Sequence, residues 1–215
     1  FHLLPPNIDR RTFSESDRES ARLAKLAELG QAADTTLLLM VGSGFRTKGV
    51  DRAIEGLAKL QSTESNKTQL VVVGHGKPDS YQRLARSLGV GDRVHMLGGR
   101  ADVPEWMLAA DLLVHPARNE NTGTVLLEAL ANGLPLLVSD VCGYAFHIER
   151  ANAGRLVPSP FSQTQFNQLL QETVDSAELQ QWSANGLKYA AEEDLYSCHD
   201  KACELIEKFV AAKAR

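Results

Sequence analysis

Asp111-Leu-Leu-Val-His115-Pro-Ala-Arg-Asn-Glu120-Asn-Thr-Gly123-Thr-Val-Leu-Leu-Glu128-Ala-Leu-Ala-Asn-Gly133-Leu-Pro135-Leu-Leu-Val-Ser139 runs from one short apolar segment to another. Leu112 to His115 reads as a buried strand. A loop follows, Thr122 to Asn132 reads as a helix, and Leu136 to Ser139 reads as the next strand. Strand, crossover helix and strand make a parallel unit. Glu120 precedes the helix N-terminus and Glu128 lies within its first turns. Between them are backbone N–H groups with no helical acceptor, a place for an anion. Carboxylates that accept from hydroxyls, beside donors that hold phosphate, suit a sugar attached to a diphosphate.

The same alternation extends outward in both directions. On the N-terminal side, Ser14 to Gly30 reads as a helix capped by Ser14, and Thr36 to Val41 as a strand buried on both faces. Val50, Ile54 and Leu57 share one helix face. Leu70 to Val73 is a strand, Asp79 to Leu88 a helix, Arg93 to Leu97 a strand, and Asp102 to Ala110 a helix capped by Asp102. On the C-terminal side, Ala145 to Ala151 reads as a short helix and Gly154 to Val157 as a sixth strand. Three helices close the chain: Ser162 to Val174, Ala177 to Glu193 and Ser197 to Lys213. The predicted fold is α/β, a Rossmann-like parallel sheet with helices on both faces, followed by C-terminal helices. Ligands of such sheets bind beyond the carboxyl ends of the strands, where strand order reverses. The loops Gly42 to Gly49, Gly74 to Pro78, Gly98 to Ala101 and Pro116 to Gly123 all fall at those ends.

Composition narrows the function classes. A net charge of -4 over 215 residues, with no Lys/Arg run, argues against a general nucleic-acid binder. No apolar stretch approaches the ~20 residues that span a bilayer. Three cysteines, an odd number, fit a reducing compartment better than a disulfide framework. Structural or inert roles suit all three. The opening Phe1-His-Leu-Leu-Pro-Pro is an extended, proline-stiffened entry and lacks the pattern of a signal peptide. It points to a fragment whose N-terminal portion is missing, with a trimmed terminus as the alternative.

Other segments carry weaker signals. Gly42-Ser-Gly-Phe-Arg46-Thr-Lys48-Gly49 follows the first strand and opens a helix. Its glycines permit close backbone approach, and Lys48 or Arg46 could neutralise a diphosphate. It is neither the dinucleotide fingerprint, since Thr47 takes the third glycine's place, nor a Walker-type phosphate loop. A turn with solvated cations is the competing reading. Glu120 and Glu128 make a poor acid/base pair: eight residues of regular helix set them ~80° and ~12 Å apart. Arg100, after Gly98-Gly99, faces either a base or solvent. His75 and His115 read as structural. Asp-x-Asp, a metal–diphosphate clamp, is absent from the sequence, so Lys and Arg have to supply the charge on any phosphate.

Taken together, these segments resemble the donor-binding, C-terminal domain of the GT-B retaining glycosyltransferases of family 4. The matching residues are Lys48-Gly49-Val50-Asp51, Val73-Gly74-x-Gly76, Gly99-Arg100, and Glu120-x7-Glu128 with Ala-x-x-Gly133-x-Pro135. The last pattern is the most specific. Asn119-Glu-Asn-Thr-Gly123, Val141-Cys-Gly-Tyr-Ala145, the opening segment and Asp194-Leu-Tyr-Ser197 are similar to a narrower group, the lipopolysaccharide core glucosyltransferases.

The resemblance implies a single donor domain over 1–215, with the N-terminal acceptor domain outside this chain. It implies a UDP-sugar donor, UDP-glucose first, and an inner-core heptose of lipopolysaccharide as acceptor, bound through the missing half. Glu128 would accept from the ribose hydroxyls and Glu120 from the hexose. N–H groups of Thr122, Gly123, Thr124 and Val125 would contact the hexose or diphosphate, with Ser43, Gly44 and Asn121 on the same surface. Lys48 would neutralise the leaving diphosphate, which makes Lys48 and Glu120 the candidate catalytic residues. Arg100 would lie beside the uracil through its backbone. Where the resemblance places an arginine directly before the lysine, this chain has Thr47, with Arg46 one earlier: either Arg46 reaches the phosphates by another route or one contact is lost. No metal or other cofactor is expected, and no nucleic-acid partner or transmembrane segment. The setting implied is cytoplasmic, peripheral on the inner membrane face through the missing half. The last helix would cross back to that half with its apolar face partly exposed. Three rivals stay open: a related transferase with another donor such as UDP-N-acetylgalactosamine or another acceptor, a dinucleotide-dependent oxidoreductase, and a non-catalytic nucleotide-binding module.

Overall fold

A computed structural model describes residues 2–60 and 67–213. The first helix, α1 (Glu15–Glu28), starts at a capping box in which Ser14 and Asp17 each bond the other's backbone N–H. Six strands follow, β1 (Thr36–Val41), β2 (Thr68–Val73), β3 (Val94–Gly98), β4 (Leu112–His115), β5 (Leu136–Ser139) and β6 (Gly154–Val157). All pair in parallel in the order β3-β2-β1-β4-β5-β6. The helices between them are α2 (Phe45–Lys48), α3 (Val50–Leu57), α4 (Asp79–Ser87), α5 (Val103–Ala109), α6 (Thr124–Ala131) and α7 (Ala145–Ala151). After β6 come α8 (Gln163–Val174), α9 (Leu179–Glu192) and α10 (Cys198–Lys213). Phe1, at the head of the proline-stiffened entry, lies outside the described residues.

The near-continuous apolar strands have a direct cause. Side chains alternate between sheet faces, and both faces here are covered. Leu37 and Leu39 of β1 join Val71 and Val73 of β2, Leu113 of β4 and Val138 of β5 in a core that includes Trp106, Leu126, Leu130 and Tyr189. Leu38 and Met40 point the other way and join Leu70, Val72, Val114 and Leu137 in a second core with Ile54, Leu57 and Phe166. Each fully buried Val, Leu or Phe contributes roughly 1.5–3 kcal/mol relative to exposure.

Arginines from α1 tie the entry segment to the sheet. Arg22 donates to the Thr35 and Ala109 carbonyls at 2.6 and 2.5 Å and to Asp111 at 3.0 Å. Asp111 in turn accepts from the Leu37 N–H at 2.7 Å. Burial raises the Asp111 pKa, and the Arg22 guanidinium opposes that rise.

Four expectations need correcting. The helix expected from Thr122 begins at Thr124, because Gly123 takes the left-handed conformation (φ 84°) as its N-cap. The loop 42–49 contains the one-turn helix α2, bounded by left-handed Gly44 and Gly49. Strand β2 begins at Thr68, two residues early, since Thr68 and Gln69 are also buried and paired. Asp102 precedes α5 without a side-chain cap bond. Its carboxylate is taken by Arg100 and Lys25 instead, which holds its pKa well below the usual carboxylate range. The apolar residues Ile206, Phe209 and Val210 of α10 are each more than 60% exposed. Among the described residues no helix is long and apolar enough to cross a membrane.

Candidate functional site

Strand order reverses between β1 and β4, the point in such sheets beyond which ligands bind. Backbone bonds hold the neighbouring loops side by side. Gly74 N–H donates to Gly98 O at 2.8 Å, Gly42 N–H to Val73 O at 2.8 Å, and Gly44 N–H to His75 O at 3.2 Å. Ser43 Oγ accepts from the His75 N–H at 3.1 Å. Across the reversal, Arg118 N–H donates to Thr47 O at 2.8 Å. The Arg118 guanidinium grips Asp51 with bonds of 2.8 and 2.6 Å and reaches Arg46 O at 2.9 Å. Gly49 sits where these loops touch: a Cβ there would lie 2.1 Å from the Pro116 carbonyl oxygen.

This packing brings Lys48 to Glu120. The single turn of α2 lifts Lys48 over Gly42, whose missing side chain makes room for the lysine stem. Lys48 Nζ forms an ion pair with Glu120 Oε2. His115 Nε2, at the end of β4, lies 3.3 Å from the same oxygen. The hydrogen bond from His115 and the charge of Lys48 hold the Glu120 carboxyl down to about 2, against partial burial. Glu120 is therefore an anion at any ordinary pH. It is not helical: it bridges to Cys142, and its carbonyl accepts from Gly143 N–H at 3.3 Å. Burial and the nearby Glu120 charge push the Cys142 thiol up to about 12, so it is a neutral, inert neighbour.

Glu128 occupies a separate place on the second turn of α6. It lines a cavity of about 280 Å³ with Asp9, Arg11, Val103, Met107 and Asn132. Burial raises its pKa, Asp9 adds to the rise and Arg11 opposes it. The opening segment reaches this cavity because Ile8 is buried and its N–H donates to Leu195 O at 3.0 Å. Neither Asp9 nor Arg11 drew attention in the sequence. They lie far from the sheet in the chain, and no local pattern marks them.

The remaining predicted residues divide into two groups. Asn121, Thr122 and Thr124 are exposed around the buried Gly123, and Val125 is half-buried. Leu126 N–H closes on Gly123 O at 2.9 Å, so the N–H groups of Thr122 to Val125 precede the first helical acceptor. Ser43, Gly44 and Arg46 are exposed on the facing loop. Arg100 is committed elsewhere: its guanidinium bonds Asp102 at 2.8 and 2.7 Å, pairs with Glu28 at 3.0 Å, and lies 5.8 Å from the Trp106 ring centre. Its guanidinium is thus engaged by two carboxylates. His115, read as structural from sequence, touches the central carboxylate. Its position as the last strand residue before Pro116 was the available signal. Among the described residues no group of three His, Cys, Asp or Glu side chains gathers as a metal site would require.

Comparison with known proteins gives one family. Residues 22–189 match the family described as glycosyl transferases group 1. The chain is 45% identical over 208 residues to the lipopolysaccharide glucosyltransferase WaaG of Escherichia coli strain K12, covering 96% of this chain and 55% of that protein. It is 30% identical over 172 residues to a D-inositol 3-phosphate glycosyltransferase of Jonesia denitrificans, covering 76% of this chain and 41% of the other. The crystal structure of WaaG, a glycosyltransferase involved in lipopolysaccharide biosynthesis, superposes with a TM-score of 0.89 over 96% of this chain and 56% of that one. The chain thus spans about half the length of the curated relatives it matches.

Proposed function

The chain belongs to the group 1 glycosyltransferases, and from that premise we propose that it is the donor-binding half of a retaining hexosyltransferase that uses a UDP-sugar. The observation that carries this reading is the meeting of Lys48 and Glu120 at the β1/β4 reversal, with Glu128 on the next helix. A nucleotide-sugar laid across the crevice meets three chemistries in order. Glu128 accepts from the ribose hydroxyls. Lys48, with Arg46 and the free N–H groups ahead of α6, neutralises the diphosphate. Glu120 accepts from the hexose hydroxyls.

In this reading the sugar–phosphate bond breaks as negative charge develops on the departing UDP. Fixed positive charge at a site shielded from water lowers that barrier, and no metal is required. Lys48 leaves Glu120 for the diphosphate, and Glu120 then turns to the sugar. Arg100 contributes its backbone beside the uracil.

UDP-glucose is the proposed donor and an inner-core heptose of lipopolysaccharide the proposed acceptor, on the likeness to WaaG. The likeness to a D-inositol 3-phosphate glycosyltransferase supports a related transferase with another acceptor as the second reading. Acceptor contacts, any peripheral attachment to the cytoplasmic membrane face and turnover itself are assigned to a second domain. Titrating UDP, UDP-glucose, UDP-N-acetylgalactosamine and NAD by calorimetry tests the donor assignment. UDP should bind, and UDP-glucose more tightly. NAD binding without UDP binding rejects the reading.

A further inference from the structure

His115 is completely buried, yet one nitrogen has no protein partner. Among the described residues its side chain's one polar contact is Nε2 on Glu120 Oε2 at 3.3 Å. An ionised carboxylate can only accept, so Nε2 donates, and the buried Nδ1 has no partner among the described residues. An unmatched buried polar atom is a cost, and an apolar side chain here would avoid it. Val114 and Leu113 fill the preceding positions of the same strand without a polar atom. The histidine is thus explained by what it does to Glu120.

Lys48 and His115 hold the carboxylate in different ways. Both bonds fall on Oε2, so Oε1 takes neither. Lys48 ends a flexible four-carbon stem with a fifth of its side chain exposed, on a single-turn helix. His115 is a short, stiff side chain on a paired strand with no exposure. One partner can leave, and the other cannot.

We propose that His115 is a positioning residue for the donor sugar, anchoring Glu120 through Nε2–H while Lys48 exchanges between Glu120 and the diphosphate. The anchor holds Oε2 in place when the lysine departs, leaves Oε1 for a sugar hydroxyl, and retains part of the carboxylate's stabilisation. This rests on the reading of Glu120 as the hexose acceptor.

The test compares His115→Phe, His115→Gln and His115→Asn with the unchanged chain. Affinities for UDP and UDP-glucose are measured by calorimetry, and folding by thermal unfolding. Phenylalanine fills the space without a donor. Glutamine can present an N–H near the Nε2 position, whereas asparagine falls short. The gain in affinity from UDP to UDP-glucose should fall roughly tenfold in His115→Phe and His115→Asn, the size of a lost bond to a charged group. Affinity for UDP alone should stay within about twofold, and His115→Gln should recover most of the gain. If His115→Phe does not fold, the contrast between His115→Gln and His115→Asn decides. A gain that survives in the variants lacking the donor, whatever their stability, overturns the role of His115 and leaves the donor reading intact. An unchanged chain that binds UDP-glucose no better than UDP overturns both.

Discussion

Lys48 and Glu120 are 72 residues apart in sequence and form an ion pair across the reversal of strand order. Each of the two charges is neutralised by the other. On the proposed reading, the lysine is neutralised by the carboxylate assigned to the sugar, and the carboxylate by the cation assigned to the diphosphate.

The proposed function has the two carboxylates address different parts of one ligand, so their truncations should separate. Glu128→Ala should weaken UDP itself, by about 1.5–3 kcal/mol for lost bonds to a charged group. Glu120→Ala should leave UDP nearly unchanged and remove only the increment from the hexose. Calorimetry with UDP and UDP-glucose reads both, and equal losses on plain UDP contradict the assignment.

The same carboxylates respond differently to pH. The Glu120 pKa is depressed from 4.5 to about 2 in the folded protein. Its stabilisation is complete above the unfolded value and disappears only as pH falls towards about 2. Glu128 is shifted upward by burial and Asp9. Its proton returns at a higher pH than that of an ordinary glutamate, and a protonated carboxyl is a weaker acceptor for two ribose hydroxyls. UDP affinity should therefore decline on acidification while Glu120 is still charged. Glu128→Gln should flatten that decline; if the variant shows the same profile, another group is responsible.

Gly49 is constrained twice, by a left-handed backbone (φ 75°) and by the Pro116 carbonyl 2.1 Å from any Cβ. Gly49→Ala should cost more than the roughly 1 kcal/mol of a left-handed alanine alone, because the loops after β1 and β4 must also part. Chemical denaturation measures the cost. A change within about 0.5 kcal/mol, the usual range for an uneventful surface substitution, would mean that the loops are not in contact there.

Thiol reactivity gives an independent check on the site's interior. Cys142 is buried with its thiol pushed up to about 12, whereas Cys203 is exposed on α10. Iodoacetamide at neutral pH followed by peptide mass spectrometry should modify Cys203 readily and spare Cys142 until the protein unfolds. Early labelling of Cys142 would place the 139–145 turn away from Glu120.

Much of the fold was legible because its signals are local. Strands buried on both faces read as apolar runs, and β1, β4, β5 and β6 begin and end where the runs do. Boundaries failed where a tertiary contact competed with a local preference. Thr122 looks like a helix start, yet its carbonyl accepts from Tyr144 N–H at 2.8 Å and Gly123 turns the chain before α6 begins. Asp102 has the residue type of a cap, but Arg100, two residues before it, and Lys25 from α1 claim its carboxylate.

The sequence by itself determined the parallel α/β architecture, the edge on which the loops gather, and the family that Glu120-x7-Glu128 marks. The first two follow from periodicity and element order, which are properties of neighbours along the chain, and the third from the resemblance of its motifs to a known family. Only the tertiary structure decided which groups share a charge. It joined Lys48 and His115 to Glu120, paired the Arg100 side chain with Asp102 and Glu28, and placed Asp9 and Arg11 beside Glu128. Coulombic and hydrogen-bond energies depend on separation in space and on what excludes water, and neither quantity is written in the order of the residues.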